Sequence, residues 1–74
     1  MKPDPKQILL FKTNIQTVDD KSLIAKVMEK HKIDQWTVDQ QDVDCVLRIV
    51  SPVLKLEDVI DLVSKNGYQC EELA

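Results

Sequence analysis

The sequence predicts an α+β fold, a ferredoxin-like βαββαβ sandwich whose four-stranded antiparallel sheet (order 4-1-3-2) carries two helices on one face. Three observations predict it. Each of two amphipathic helical segments follows a short apolar strand, the two halves of the chain repeat this pattern, and each segment ends at residues that break it. Because crossover connections between parallel strands are right-handed, this order of elements folds as the split βαβ arrangement.

The first half of the chain begins with one strand and one helix. The continuous apolar run Ile8–Phe11 lies between charged residues, which is typical of a buried central strand. The stretch 13–19 is polar and predicts a loop. A helix is expected from about Asp19 to His31, because apolar residues recur there at helical spacing opposite charged ones. These apolar positions are Leu23, Ile24, Val27 and Met28.

A hairpin of two strands is expected next. The segment Ile33–Asp39 alternates apolar and polar residues, as in a strand that is buried on one face. Gln40–Asp42 is polar and predicts the turn. The following strand is expected over Val43–Val50, until Ser51-Pro52 breaks it. The residues expected on its buried face are Val43, Cys45, Leu47 and Ile49.

A second amphipathic helix and a last short strand complete the pattern. Glu57 and Asp58 occupy the first turn of this helix, where the helix dipole favours acidic side chains. Asn66-Gly67 is a C-terminal stop signal, and Tyr68–Leu73 is expected to form the last strand. The apolar helix positions are Leu56, Val59, Ile60 and Val63.

Length and composition restrict the class of protein. At 74 residues the chain has room for one domain, assigned to 7–74, with 1–6 as a flexible lead-in. A single glycine excludes Gly-rich phosphate loops, and a net charge of −3 argues against nucleic acid or an anionic membrane as partner. The chain has no apolar run long enough for a membrane span or a signal peptide, so a cytoplasmic location and reduced thiols are expected. No nucleophile–base pair can be assembled, so we expect neither catalysis nor a cofactor.

Four short motifs within residues 7–73 carry a family resemblance. The motifs are Trp36-x-Val38, Leu47-x-Ile49 before a turn, Lys55-Leu56-Glu57-Asp58 at the start of the second helix, and Asn66-Gly67-Tyr68-x-Cys70. With them, the chain resembles the heavy-metal-associated (HMA) domain, the small module of copper chaperones and of metal-transporting ATPase tails. That family has Val-x-Val at the first motif and often Gly-Tyr-x-Ala at the last. The resemblance implies the same fold and, for the family, binding of a soft metal ion.

The family's metal motif, Met-x-Cys-x-x-Cys between the first strand and the first helix, is missing. Two thiolates at this spacing bind a soft ion such as Cu(I). With Ile15 aligned to the methionine, the cysteine positions hold Thr17 and Asp20; shifted by one residue, they hold Gln16 and Asp19. Neither alignment supplies a sulfur, and Thr17-x-x-Asp20 predicts a helix capping box instead. We expect no metal site, and Asp19 and Asp20 are the candidate ligands should a hard ion bind.

The other reactive side chains have structural explanations. Cys45 and Cys70 are expected on strands separated by the first strand, about 9 to 10 Å apart, which is too far for a disulfide. Each is interpreted as a small buried hydrophobic residue. His31 closes the first helix, where a cation is favourable. The hairpin aspartates lack the glycine and glutamate of a calcium loop and are interpreted as solvated charges.

The sheet face that the helices leave open is the expected interaction surface. Val46, Arg48 and Val50 are placed on it, together with Leu9 or Phe11, since the facing of the first strand stays open. RNA-binding modules of this topology stack bases on aromatic residues of the central strands, and the third strand has none. The prediction is therefore a non-catalytic module that binds a protein partner or a second copy of itself. Two alternatives stay open: metal handling through carboxylate and histidine ligands, and a regulatory module that binds a small molecule at a dimer interface.

Overall fold

A computed structural model describes residues 7–73, and within them the chain has two helices and four strands in the order βαββαβ. The predicted lead-in, residues 1–6, lies outside the described residues. The elements are β1 (Gln7–Thr13), α1 (Val18–Lys30), β2 (Trp36–Asp39), β3 (Val46–Ser51), α2 (Leu56–Lys65) and β4 (Cys70–Glu72).

The strands form a single antiparallel sheet in the order β2-β3-β1-β4. Read from the β4 edge, this is the order 4-1-3-2. The central pair β1 and β3 is in a register that places Ile8 opposite Val50 and Leu10 opposite Arg48. The predicted α+β class, with two helices and a four-stranded antiparallel sheet, is confirmed.

One hydrophobic core lies between the helices and one face of the sheet. Alternate residues of β1 and β3 contribute to the same buried cluster as residues from both helices, so α1 and α2 cover the same face. Each aliphatic or aromatic side chain buried in this way contributes about 1.5–3 kcal/mol to folding. The largest fully buried side chains are Phe11, Ile15, Ile24, Met28, Leu47, Ile49, Val59 and Val63.

Both helices end in the same backbone motif. In α2, Gly67 has φ +91°, and the N–H of Tyr68 donates to the carbonyl of Val63. This is the left-handed termination expected at Asn66-Gly67. In α1, Lys32 takes the left-handed position with φ +60°, and the next N–H again donates back to the last turn, at the carbonyl of Met28. The internal repeat of the sequence therefore extends to the helix ends.

The third strand begins later than predicted. It starts at Val46, and Val43, which was expected on the buried face, is 91% exposed. Asp42 explains the difference, because its side chain accepts the N–H of Asp44 and its carbonyl accepts the N–H of Cys45. Cys45 has φ +43°, outside the extended region that a strand requires. The turn therefore runs three residues further, although Cys45 itself is buried as predicted.

The facing of β1, which the sequence left open, is decided by burial. Leu9 and Phe11 point into the core, so their expected place on the open face is wrong. Ile8 and Leu10 occupy that face instead, with exposures of 56% and 37%. In α1 the predicted apolar stripe is narrower than expected, because Leu23 is 42% exposed while Ile24 and Met28 are fully buried. The sheet thus has one covered face and one face with exposed aliphatic residues.

Two neighbouring leucines test this facing. We expect Leu9→Ala to lower the free energy of unfolding by about 2–4 kcal/mol, because it leaves a cavity in the core. Leu10→Ala, its matched control on the opposite face, should cost less than about 1.5 kcal/mol. Urea unfolding of both variants measures the difference. Equal losses, or a larger loss for Leu10→Ala, would contradict the assigned facing.

Candidate functional site

The loop between β1 and α1 occupies the position of the family's metal site and is closed by its own side chains. Thr17 Oγ1 accepts the N–H of Asp20 at 3.0 Å, and Asp20 Oδ2 accepts the N–H of Thr17 at 3.0 Å. The same oxygen also accepts the N–H of Gln16 at 3.1 Å. This reciprocal arrangement is the predicted capping box, which satisfies backbone donors that a helix N-terminus otherwise leaves free.

The second carboxylate oxygen of Asp20 is also engaged. Tyr68, in the connection between α2 and β4, donates its hydroxyl to Asp20 Oδ1 at 2.9 Å. The backbone hydrogen bonds from Thr17 and Gln16, followed by the one from Tyr68, hold the pKa of Asp20 below its ordinary value. The same carboxylate raises the pKa of Tyr68, since its hydroxyl donates to a negative charge. Both oxygens of Asp20 therefore have protein partners.

Neighbouring segments hold the loop on both sides. Gln40, in the β2–β3 turn, donates its side-chain amide to the carbonyl of Thr17 at 2.8 Å and to that of Ile15 at 3.4 Å. The N–H of Gln69 donates to Asn14 Oδ1 at 2.8 Å. Ile15, at the family's methionine position, is fully buried in the core. The loop is thus fixed at its start, its end and its one apolar side chain.

This donor set does not fit a metal ion of the kind that the family binds. Among the described residues, no group of three or more histidine, cysteine, aspartate or glutamate side chains is arranged to hold a metal. Of the two candidate ligands, Asp20 is committed to the capping box, and Asp19 is an exposed residue of the first helical turn. A hard cation needs several oxygen ligands, so Asp19 alone makes no site.

Both cysteines are free thiols at a distance from the loop in sequence and structure. Cys45 is buried in the turn before β3, and Cys70 is half-buried at the start of β4. Thr13 lies between them: it pairs with Cys70 in register and donates its hydroxyl to the carbonyl of Cys45 at 2.7 Å. Burial, and then the charge of Glu71, raise the pKa of the Cys70 thiol to about 11. Because metal ligation requires a thiolate, this environment opposes it.

The open face of the sheet carries an aliphatic patch. The sequence analysis places Val46, Arg48 and Val50 on this face, and they alternate along β3 with the buried residues Leu47 and Ile49, as that placement requires. From β1, the exposed residues opposite Val50 and Arg48 join them. We call the four aliphatic residues the open-face patch: Ile8, Leu10, Val46 and Val50.

Charged residues of both signs surround the open-face patch. Arg48 lies across from Leu10, Asp39 pairs with Val46, and Lys12 pairs with Glu71. Lys12 Nζ approaches Asp44 Oδ1 at 3.8 Å, with both side chains well exposed. An exposed pair of this kind adds little to stability, so these charges are available to a partner.

A groove of about 430 Å³ lies near the end of α1, lined in part by His31, Asp34 and Ser51. Ser51 is buried, and its hydroxyl accepts the N–H groups of Val53 and Leu54. These bonds close the turn after β3 and explain why a serine is needed there. The groove is therefore a feature of the turn, and it offers no arrangement that favours the small-molecule alternative.

The sequence analysis missed several residues that define these sites. Nothing in the sequence pattern marks Gln40 or Tyr68 as partners of the loop, because both contacts join segments far apart in the chain. A signal for the open-face leucine did exist. Lys12, a charged strand residue, shares its face with Leu10 and Ile8 by the two-residue period of a strand.

Comparison with known proteins leaves the chain without an assigned relative: no family model, curated protein or solved structure matches it. Within residues 7–73, neither helix has the length and apolar character to cross a membrane.

The capping box predicts a particular acid response. Because the pKa of Asp20 is lower in the folded protein than in the unfolded chain, its contribution to stability is present above the unfolded pKa and is lost as the pH falls through the folded value. We therefore expect wild type to lose stability below about pH 4 and Asp20→Asn to lose less over that range. Asp19→Asn, an exposed neighbour outside the box, is the matched control. Urea unfolding across acid pH measures this, and identical profiles for wild type and Asp20→Asn would refute it.

Metal addition tests the closed loop. We expect Cu(I), Zn(II) and Ca(II), under reducing conditions, to leave the thermal unfolding midpoint of wild type unchanged, because no ligand set stabilises the folded state. Thr17→Cys combined with Asp20→Cys supplies two thiols three residues apart and should bind Cu(I). Gln16→Cys with Asp19→Cys, in the alternative alignment, is the control pair. A metal-induced rise in wild type that Asp19→Ala with Asp20→Ala abolishes would show a thiol-free metal site.

Proposed function

We propose that this protein is an HMA-like domain of the ferredoxin-like fold that has lost the metal site and acts as a non-catalytic protein-interaction module. The open sheet face is its contact surface. The observation that carries the proposal is the open-face patch, in which Ile8 and Leu10 are exposed beside two half-buried valines. The chain's location in the cytoplasm is part of the same proposal.

The condition of the loop supports a role without metal. In the family that the chain resembles, this loop holds the ion between two thiolates. Here Asp20 satisfies the backbone of the loop and accepts the Tyr68 hydroxyl. An ion entering this site would have to displace three hydrogen bonds and would find no sulfur ligand.

The family relationship is supported by what its motifs do in the fold. Trp36 and Val38 of the first motif lie on β2 opposite Ile49 and Leu47 of the second, so the two motifs form one pair of strands. In the last motif, Gly67 makes the left-handed turn that ends α2. Tyr68 then reaches the loop where the family holds its metal.

Burial energetics support a contact role for the open face. Each aliphatic side chain moved from water to an apolar contact gains up to about 1.5–3 kcal/mol. Ile8 and Leu10 retain much of that gain for a partner, because the helices cover only the other face. The charges around the open-face patch supply the polar rim that is common in protein interfaces.

Differential capture tests the contact surface. Immobilised wild type, Leu10→Glu and Val53→Glu are each incubated with lysate of the source cell. Val53 is 78% exposed and lies after β3, outside the open face, so Val53→Glu is the matched control for added charge. We expect a protein that wild type and Val53→Glu retain and Leu10→Glu loses, because a buried unpaired charge destabilises an interface. Circular dichroism melting shows that the variants are folded.

The opposite pattern would reject the proposal. If all three baits retain the same proteins, or if only Val53→Glu loses one, the open face is not the contact surface.

A further inference from the structure

We propose that the occupant of the open sheet face is a second copy of this chain, packed face to face in a symmetric dimer. This inference rests on the proposed function and names the partner. Three features of the described residues lead to it: the position of the aliphatic residues, the distribution of charge around them, and the size of the face.

The aliphatic residues are grouped where two copies can cover each other. Ile8 and Val50 are direct cross-strand neighbours on the two central strands, and Leu10 follows two residues later on β1. Central strands lie in the middle of the face, so a partner sheet that packs on it contacts these residues first. Sheets pack about 10 Å apart with interdigitating side chains, and an aliphatic group in the middle of each suits this arrangement.

The charges favour a partner with the same surface. Arg48 lies next to the open-face patch, while Asp39, Asp44 and Glu71 lie on the same face nearer its margins. In residues 7–73 the ion pair formed is Lys12 with Asp44, which leaves Arg48 to pair elsewhere. A symmetric interface presents the same patch from both sides, so a surface with both signs of charge can complement itself. A strongly basic or strongly acidic partner would meet repulsion from one set.

The size of the face sets the expected strength. Four strands spaced about 4.8 Å apart and a central strand of seven residues give a footprint of about 400 Å² per copy. A standard interface buries about 800 Å² per partner. The dimer should therefore be weak and concentration-dependent.

Sedimentation equilibrium from micromolar to millimolar protein tests the dimer. We expect wild type and Val53→Glu to change from monomer to dimer as concentration rises. Leu10→Glu and Leu10→Lys should each weaken association by at least about tenfold, because either places like charges in the middle of the interface. A wild type that stays monomeric at millimolar concentration would overturn the proposal. So would a dimer that the Leu10 variants form as readily.

A mixture of the two Leu10 variants tests the symmetry. In a face-to-face dimer, Leu10→Glu and Leu10→Lys carry opposite charges on facing patches, so the mixture should associate more strongly than either variant alone. If wild type dimerises but mixing gives no recovery, the symmetric arrangement is wrong.

The two proposals fail in different ways. A monomeric wild type whose lysate partner is lost with Leu10→Glu leaves the contact surface in place and assigns it to another protein. A monomeric wild type with no partner sensitive to Leu10→Glu removes both proposals.

Discussion

The carboxylate of Asp20 is the interaction on which the candidate site depends. It joins three parts of the chain: the loop after β1, the first turn of α1, and the connection that leads from α2 to β4. Because these segments come from both halves of the repeated βαβ pattern, one side chain ties the halves together at this end of the molecule. The geometry of the loop follows from this tie, and so does its poor fit to a metal ion.

A second constraint is the small size of the chain. Two helices can cover one face of a four-stranded sheet, and all of the described core lies between them. The other face is left to a mixture of aliphatic and charged residues, among them Leu10 and Arg48. Such a face is stable in water only as long as its aliphatic area stays modest. The closed loop and the open face thus have the same origin, since a short chain satisfies its own polar groups locally and leaves apolar area for association.

The sequence was sufficient where the evidence is local. The period of Ile24 and Met28 locates α1, Asn66-Gly67 ends α2, and Thr17 with Asp20 begins α1, because each signal acts over four or five residues. It was insufficient where tertiary contacts decide.

Three residues show why. Val43 has the right parity for a buried strand residue, yet the hydrogen bonds of Asp42 keep it in a turn. Lys32 makes a left-handed helix end that no glycine announces. Tyr68 and Asp20 are 48 residues apart, so their hydrogen bond has no local signal.

The environment of Cys70 has a kinetic consequence. Thiol–disulfide exchange and the first step of thiol oxidation proceed through the thiolate. With a pKa of about 11, Cys70 is a thiolate in about one molecule in ten thousand at pH 7. Cys45 is shielded by burial in its turn. Although it contains two sulfur atoms, the folded domain should therefore react slowly with peroxide and with glutathione disulfide, and its thiols should persist through an oxidative episode.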